Sequence, residues 1–285
     1  MARKEYMRAY RAKHGGDPMY NKIIQDDCMN IGKYVNGRVI DLVISSPPYN
    51  VDLGQNKSKK PVRRRQYDEH EDDMPYGVYL DFLYQRLSCL TRHLKEGARV
   101  CINIGDGKNG EYPTKYHLDD IMIRRLKFLP FTTIIWRKKQ TSNRTAWGSW
   151  MSPSKPSFPR PWEYICVYGY KSLKKPGDKK LITVTKEEFT QFAYGEWEFS
   201  GKHDPDHPSP FPPELPYRCI QMFSYRGDLV LDPFCGVGTA LTEAKRTGRS
   251  YLGFDISPRY VRISQERLIV NEKFLNQVRK EVSGD

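Results

Sequence analysis

Apolar residues along this chain gather in short runs divided by polar stretches, and the runs follow two periods. Runs of strand length fall at residues 20–25, 40–45, 98–104, 131–137, 162–168, 228–231 and 250–254. Their length and their content of Ile, Val, Tyr and Trp predict β-strands rather than buried helices. Leu80, Leu83, Leu87, Leu90 and Leu94 recur instead at three- and four-residue spacing, which predicts an amphipathic helix whose stripe packs on a core. Ser257-Pro258 has the form of an N-cap followed by proline at the first helical position, and predicts a helix through about residue 275. Strands alternating with helices predict an α/β fold, a mostly parallel sheet covered on both faces.

Three long polar segments break this rhythm. Residues 51–76 carry a basic cluster followed by Asp68, Glu69, Glu71, Asp72 and Asp73. Residues 138–161 hold Lys138, Lys139, Arg144, Trp147 and Trp150, and residues 171–206 mix lysines with Phe189, Phe192, Tyr194, Trp197 and Phe199. Loops this long inside a compact domain are functional or disordered. Interleaved basic and aromatic residues suit contact with phosphates and bases. Residues 1–18 are basic and polar and end in Gly15-Gly16-Asp17-Pro18, so they read as an N-terminal arm.

Charge sharpens the picture. The 285 residues carry a formal net charge of +13 and have a pI near 9.3, which points to a polyanionic partner. Within residues 57–65, Lys57, Lys59, Lys60, Arg63, Arg64 and Arg65 occur with no acid among them. Together with Lys138, Lys139 and Arg144 they are the candidate nucleic-acid contacts. The length suffices for one large α/β domain, and the hydrophobic content of 38% describes a chain rich in polar loops. The six cysteines (28, 89, 101, 166, 219, 235) show no Cys-x-x-Cys spacing and read as small buried thiols, with no metal site expected. No stretch is apolar enough for a signal or a membrane span, so a cytoplasmic protein is expected.

Two runs carry the chemistry. Ser46-Pro47-Pro48-Tyr49 follows the strand at 40–45, and Asp232-Pro233-Phe234-Cys235-Gly236-Val237-Gly238-Thr239 follows the strand at 228–231. Both therefore sit where a strand hands over to a loop, the rim on which open α/β sheets bind ligands. Gly236 and Gly238 let backbone approach a ligand where a side chain would collide. No Gly-Lys-Ser/Thr is present to hold phosphates, which counts against a nucleotide hydrolase. Cys235, although in this loop, reads as a small residue filling a tight turn.

With His207-Pro208-Ser209-Pro210-Phe211-Pro212-Pro213-Glu214-Leu215-Pro216 and Trp162-Glu163-Tyr164-Ile165-Cys166-Val167-Tyr168, these runs resemble, in order and over roughly residues 20–270, the S-adenosylmethionine-dependent DNA amino-methyltransferases. The likeness is to the Ser-Pro-Pro-Tyr branch, usually N4-cytosine enzymes, in which the target-base motif precedes the cofactor motif. The resemblance implies a Rossmann-like class I methyltransferase, a seven-stranded mostly parallel sheet with one reversed edge strand, helices on both faces and a circularly permuted motif order. It divides the chain into the arm 1–18, a catalytic half 19–170, a candidate target-recognition region 171–206 assisted by 138–161, and a cofactor-binding half 207–285. Further implied are a cofactor pocket of Asp27, Cys28, Phe211, Pro212, Asp232, Pro233, Phe234, Gly236, Gly238, Thr239 and Asp255. Asp255 would take the ribose hydroxyls and Phe211 with Pro212 the methionine end. Asp26 stands where the family usually has glycine, which leaves the choice between Asp26 and Asp27 open.

The chemistry expected at Ser46, Pro47, Pro48 and Tyr49 follows from the target. The lone pair of an exocyclic amine is delocalised into its ring, so catalysis needs acceptors that draw the amino hydrogens and localise that pair. Ser46 Oγ and the Pro47 carbonyl are such acceptors, the prolines stiffen the turn, and Tyr49 offers a ring face for the base. Direct in-line transfer rests on positioning and local electrostatics, and the base must first leave the duplex. Asn103 and Asp106, at the end of the strand at 98–104, are candidates to orient Ser46 or take up the released proton. Ser46 stands where N6-adenine relatives usually carry Asp, which favours cytosine N4. The reading is a prokaryotic or phage-encoded modification enzyme, nucleoid-associated, monomeric or homodimeric, acting on double-stranded DNA alongside a possible cognate endonuclease. The alternatives are the N6-adenine version, an RNA or protein-glutamine methyltransferase (disfavoured by the motif order) and a non-catalytic DNA-binding module.

One expectation rests on charge alone. Replacing Arg63, Arg64 and Arg65 together by Ala lowers the slope of log affinity against log salt for DNA, by about 0.9 for each phosphate no longer neutralised. An unchanged slope in a filter-binding titration makes that run a merely solvated surface.

Overall fold

A computed structural model describes residues 20–50, 73–107, 112–139, 148–156, 158, 160–201, 204, 207 and 211–283, the last with side chains only to Val270. The predicted arm, the Lys57–Arg65 cluster and Arg144 lie outside the described residues. Among the described residues eight strands form one sheet: β1 (Lys22–Gln25), β2 (Ile40–Ser45), β3 (Leu94–Ile104), β4 (Leu129–Lys138), β5 (Trp162–Gly169), β6 (Glu196–Phe199), β7 (Leu229–Asp232) and β8 (Ser250–Asp255). Their order across the sheet is β1-β8-β7-β2-β3-β5-β4-β6. Of these, β5 alone runs backwards, pairing antiparallel with β3 and β4.

The helices that accompany this sheet are α1 (Tyr76–Leu90), α2 (Thr114–Asp119), α3 (Lys186–Phe192), α4 (Glu214–Phe223), α5 (Thr239–Arg246) and α6 (Pro258–Ser283). The central strands are buried on both faces, and alternate residues feed two cores. Val43, Val100, Ile102 and Leu231 join Tyr79, Leu83, Leu87 and Leu90 of α1. Leu42, Ile44, Cys101 and Val230 join Leu215 and Cys219 of α4 and Ala240 and Leu241 of α5. The leucine stripe forms the expected helix up to Leu90, whereas Leu94 opens β3. At the start of α6, Ser257 Oγ accepts the Tyr260 N–H at 3.2 Å, the N-cap bond expected there.

Two features differ from the sequence expectation. The reversed strand is interior, between β3 and β4, not at an edge. The sheet also has an eighth strand, β6, which extends it beyond β4 in parallel register. Short and half exposed, with Glu196 and Glu198 outward, β6 lacks the apolar run that marks the others. It is anchored by Trp197, 1% exposed, whose indole N–H donates to the Phe192 carbonyl at 3.0 Å, and by Phe199, stacked on Trp136. Part of the region 171–206 is therefore framework.

All the parallel strands deliver their carboxyl ends to one rim, and β7 and β2 are neighbours there. The turns after Ser45 and Asp232 are thus adjacent. Replacing Trp197 by Ala is expected to lower stability by about 3–5 kcal/mol, read as a fall in the urea midpoint. A change under about 1 kcal/mol would mean β6 is dispensable to the sheet.

Candidate active site

An open cleft lies at this rim, and each wall comes from a different strand exit. Asp26, Asp27 and Cys28 follow β1, Ser46 and Pro48 follow β2, Pro233 to Val237 and Thr239 follow β7, and Asp255, Ile256 and Ser257 end or follow β8. Phe82 and Arg86 of α1, with His207, Phe211 and Tyr260, close it. The turn after β2 and the glycine turn therefore border the same space. A buried hydrogen bond links their roots, Ser45 Oγ donating to Asp232 Oδ1 at 2.7 Å.

The glycine turn is held by carboxylates. Asp232 Oδ1 also accepts the Phe234 N–H at 3.1 Å. Asp255 Oδ2 accepts the Gly236 N–H at 2.8 Å, and its Oδ1 accepts the Ser257 N–H at 2.9 Å. The two glycines serve different neighbours. A Cβ on Gly236 (φ +48°) would stand 2.9 Å from His207 Nε2, in the cleft wall, whereas one on Gly238 (φ +78°) would stand 2.3 Å from Ser264 Oγ of α6. Gly238 thus lets α5 start against α6, and a bulky substitution there disturbs helix packing before it reaches any ligand.

Not every sequence-selected residue reaches the cleft wall. Asp27, Cys28, Phe211, Pro233, Phe234, Gly236, Thr239 and Asp255 border it, as do Ser46 and Pro48. Asp232 is buried behind the turn, Pro212 is buried and its carbonyl starts α4 by accepting the Leu215 N–H, and Pro47 is buried beside Pro48. The paired acids divide the work. Asp26 accepts from the Asp27 N–H, Asn30 Nδ2 and the Tyr34 hydroxyl, and these bonds, that from Asn30 foremost, hold its carboxyl below the usual value. Asp27 caps a short helix by accepting the Met29 N–H and pairs with Arg86 at 2.6 Å. Arg86 lies 3.9 Å above the Phe82 ring. Sequence reasoning missed both, because they interleave with the leucine stripe and read as helix surface.

Behind Ser46 stands a polar group. Ser46 Oγ donates to Tyr49 Oη at 3.1 Å, and Tyr49 donates to Glu163 Oε2 at 3.0 Å. Asn103 Nδ2 donates to both Tyr49 Oη and Glu163 Oε2. Asn103 therefore reaches Ser46 only through Tyr49, while Asp106 pairs with Arg160 at 2.7 Å. Lys138, expected on nucleic acid, places its ammonium on Glu163 Oε1, and Lys139 is exposed. Glu163 belongs to the run from Trp162 to Tyr168, within which the sequence gives it no particular role. Downstream of the turn from Ser46 to Tyr49, the Asn50 side chain bonds Met74 twice, accepting its N–H at 2.7 Å and donating to its carbonyl at 2.8 Å.

Comparison with known proteins gives this rim a lineage. The profile of the N6/N4-type DNA methylase family matches residues 40–266, from β2 into α6. The chain belongs to this DNA methylase family. Among relatives, the Type II methyltransferase M.MjaVI of Methanocaldococcus jannaschii is 37% identical over 190 residues, 65% of this chain and 90% of that protein. A Thermus thermophilus protein, provisionally described as a DNA modification methylase and solved in complex with S-adenosyl-L-methionine, superposes with a TM-score of 0.66 at 28% identity, over 88% of this chain and 95% of that one. The PvuII DNA methyltransferase, named as cytosine-N4-specific, shares the fold at a TM-score of 0.64 and 18% identity, over 95% of this chain and 97% of that one. In this methylase the family match begins at β2, so Asp26 and Asp27 lie just outside it. Among the described residues no cluster of metal-ligating side chains occurs, and no helix is long and apolar enough to cross a membrane.

Burial raises the Asp232 carboxyl from 3.8 to about 7. Folded, it holds its proton to higher pH than unfolded, so the native state binds more protons in that window and stability falls as pH rises through it. Asp232→Asn keeps an oxygen for Ser45 and Phe234 while removing this titration. The variant is expected to lose part of the wild-type fall in melting temperature between about pH 5 and 7.5. Parallel pH profiles for the two proteins would reject the assignment.

Proposed function

We propose that this DNA methylase transfers a methyl group from S-adenosylmethionine to the N4 amino group of a cytosine extruded from duplex DNA, as the modification arm of a restriction system. The observation that carries the proposal is the shared cleft: Ser46 and Pro48 border the same space as Pro233, Gly236 and Asp255. The donor set fits the cofactor. Asp255, at the end of β8, has the place and chemistry to accept ribose hydroxyls. Asp27, set against Arg86, is suited to an adenine amino group, with Cys28 beside it. Phe211 and Phe234 give the apolar contact that the methionine end needs, and Gly236 keeps the wall open where a Cβ would meet His207. When bound, S-adenosylmethionine supplies an electrophilic methyl group on a sulfonium centre.

The chain's own residues then prepare the nucleophile. Ser46 Oγ and the Pro47 carbonyl accept the amino hydrogens and pull the lone pair out of conjugation, while Tyr49 offers its ring to the base. As the methyl group arrives on the nitrogen and the sulfonium becomes a thioether, one of those amino hydrogens leaves as a proton to solvent at the open cleft. A neutral serine leading the turn, rather than an aspartate, favours N4 of cytosine over N6 of adenine. Duplex contact falls to basic and aromatic side chains of the long segments. Trp150, Met151 and Phe158 are exposed, within the segment 138–161 expected to help read the target.

Digestion of treated DNA to nucleosides is expected to yield N4-methylcytosine; N6-methyladenine alone would overturn the choice of base. Ser46→Ala is expected to keep cofactor affinity by calorimetry and to lose about 10²-fold in turnover, the scale for removing one preorganised hydrogen-bonding group. Turnover within about threefold of wild type would remove Ser46 from the chemistry.

A further inference from the structure

The hydrogen bonds behind Ser46 have a direction, and that direction originates at Glu163. Glu163 lies near the start of β5 with a side chain 15% exposed. It takes the Tyr49 hydroxyl at 3.0 Å and Asn103 Nδ2 at 2.8 Å on Oε2, and the Lys138 ammonium on Oε1. An ionised carboxylate only accepts. Tyr49 therefore directs its single proton to Glu163, and its oxygen is left to accept from Asn103 at 2.5 Å and from Ser46 at 3.1 Å. Ser46 in turn has its one proton engaged with Tyr49. A hydroxyl in that state presents lone pairs, not a proton, to whatever occupies the cleft. An exocyclic amine brings two N–H donors and needs such a partner.

We propose that Glu163 is a positioning residue that sets the polarity of the Glu163–Tyr49–Ser46 chain, so that Ser46 meets the target amine as an acceptor. The proposal rests on the methyl-transfer reading above. Asn103 reinforces the direction. It is 2% exposed, yet its Oδ1 has no hydrogen-bond partner. Turning the amide over would set that oxygen against Tyr49 Oη and Glu163 Oε2, so Nδ2 faces them despite the cost of an unsatisfied buried acceptor. Lys138 supplies the counter-charge that a largely buried carboxylate requires.

A double-variant cycle on steady-state methylation kinetics tests this. In Glu163→Gln the amide can donate to Tyr49, so Tyr49 donates to Ser46 and the Ser46 proton faces the amine. That variant is expected to lose about 10²-fold in kcat, with DNA KM and cofactor Kd within about threefold of wild type. Tyr49→Phe keeps the ring but removes the reversing hydroxyl, and loses about 10-fold. The double variant is expected to return to the Tyr49→Phe level, above Glu163→Gln alone, since the misdirected donor is gone. A residue with a merely structural role gives additive or worse losses instead.

Additive losses in the double variant overturn the proposal, as does Glu163→Gln with wild-type kcat. Should Glu163→Gln fail to fold by circular dichroism, Tyr49→Phe with wild-type kcat overturns it alone. A wild-type protein that binds cofactor and DNA but transfers no methyl group defeats the parent reading, and this one with it. Wild-type activity with an active Glu163→Gln defeats only this one.

Discussion

Everything at the rim depends on how β2 and β7 end together, and one buried hydrogen bond secures that ending. Ser45 and Asp232 are 187 positions apart in the chain, yet the serine hydroxyl and the carboxylate meet at 2.7 Å. The same carboxylate oxygen holds the backbone of Phe234. A single atom thus ties the neighbouring strand to the turn that shapes the cleft. Asp255 repeats the device one strand further along, gripping the glycine turn with one oxygen and its own loop with the other. Strand ends are where sheets lose their ladder bonds, and carboxylates at both exits replace them.

The apolar pattern located seven strands because most are buried on both faces and so read as continuous runs. β6 escaped because Glu196 and Glu198 face outward and only Trp197 and Phe199 face in. The position of the reversed strand could not be read at all, since periodicity records burial and not direction. At the site, the residues next to strand exits were legible from local sequence. Arg86 was not, because its contact with Asp27 spans 59 positions. Glu163 was visible as part of a motif, but its partner Tyr49 lies 114 positions away, and no spacing rule connects them.

Residues 171–201 are fastened at both ends of the sheet's strands. Lys175 reaches Asp41 and Asp228 at the amino ends of β2 and β7, and Arg99 binds the carbonyls of Ser172 and Leu173. Further along, β6 pairs with β4. Arg218 lies against the rings of Phe192, Trp197 and Phe199, so cation–π contacts join this strap to α4. The mostly buried Lys175 also limits repulsion between two acids at the strand starts, although burial still raises the Asp228 carboxyl.

The pair of hydrogen bonds between Asn50 and Met74 acts as a clasp. The clasp pins the chain one residue beyond Tyr49, so the turn from Ser46 to Tyr49 is fixed at its far side by a contact of its own. A turn clamped at its exit as well as at its root, where Ser45 meets Asp232, holds its shape by local contacts.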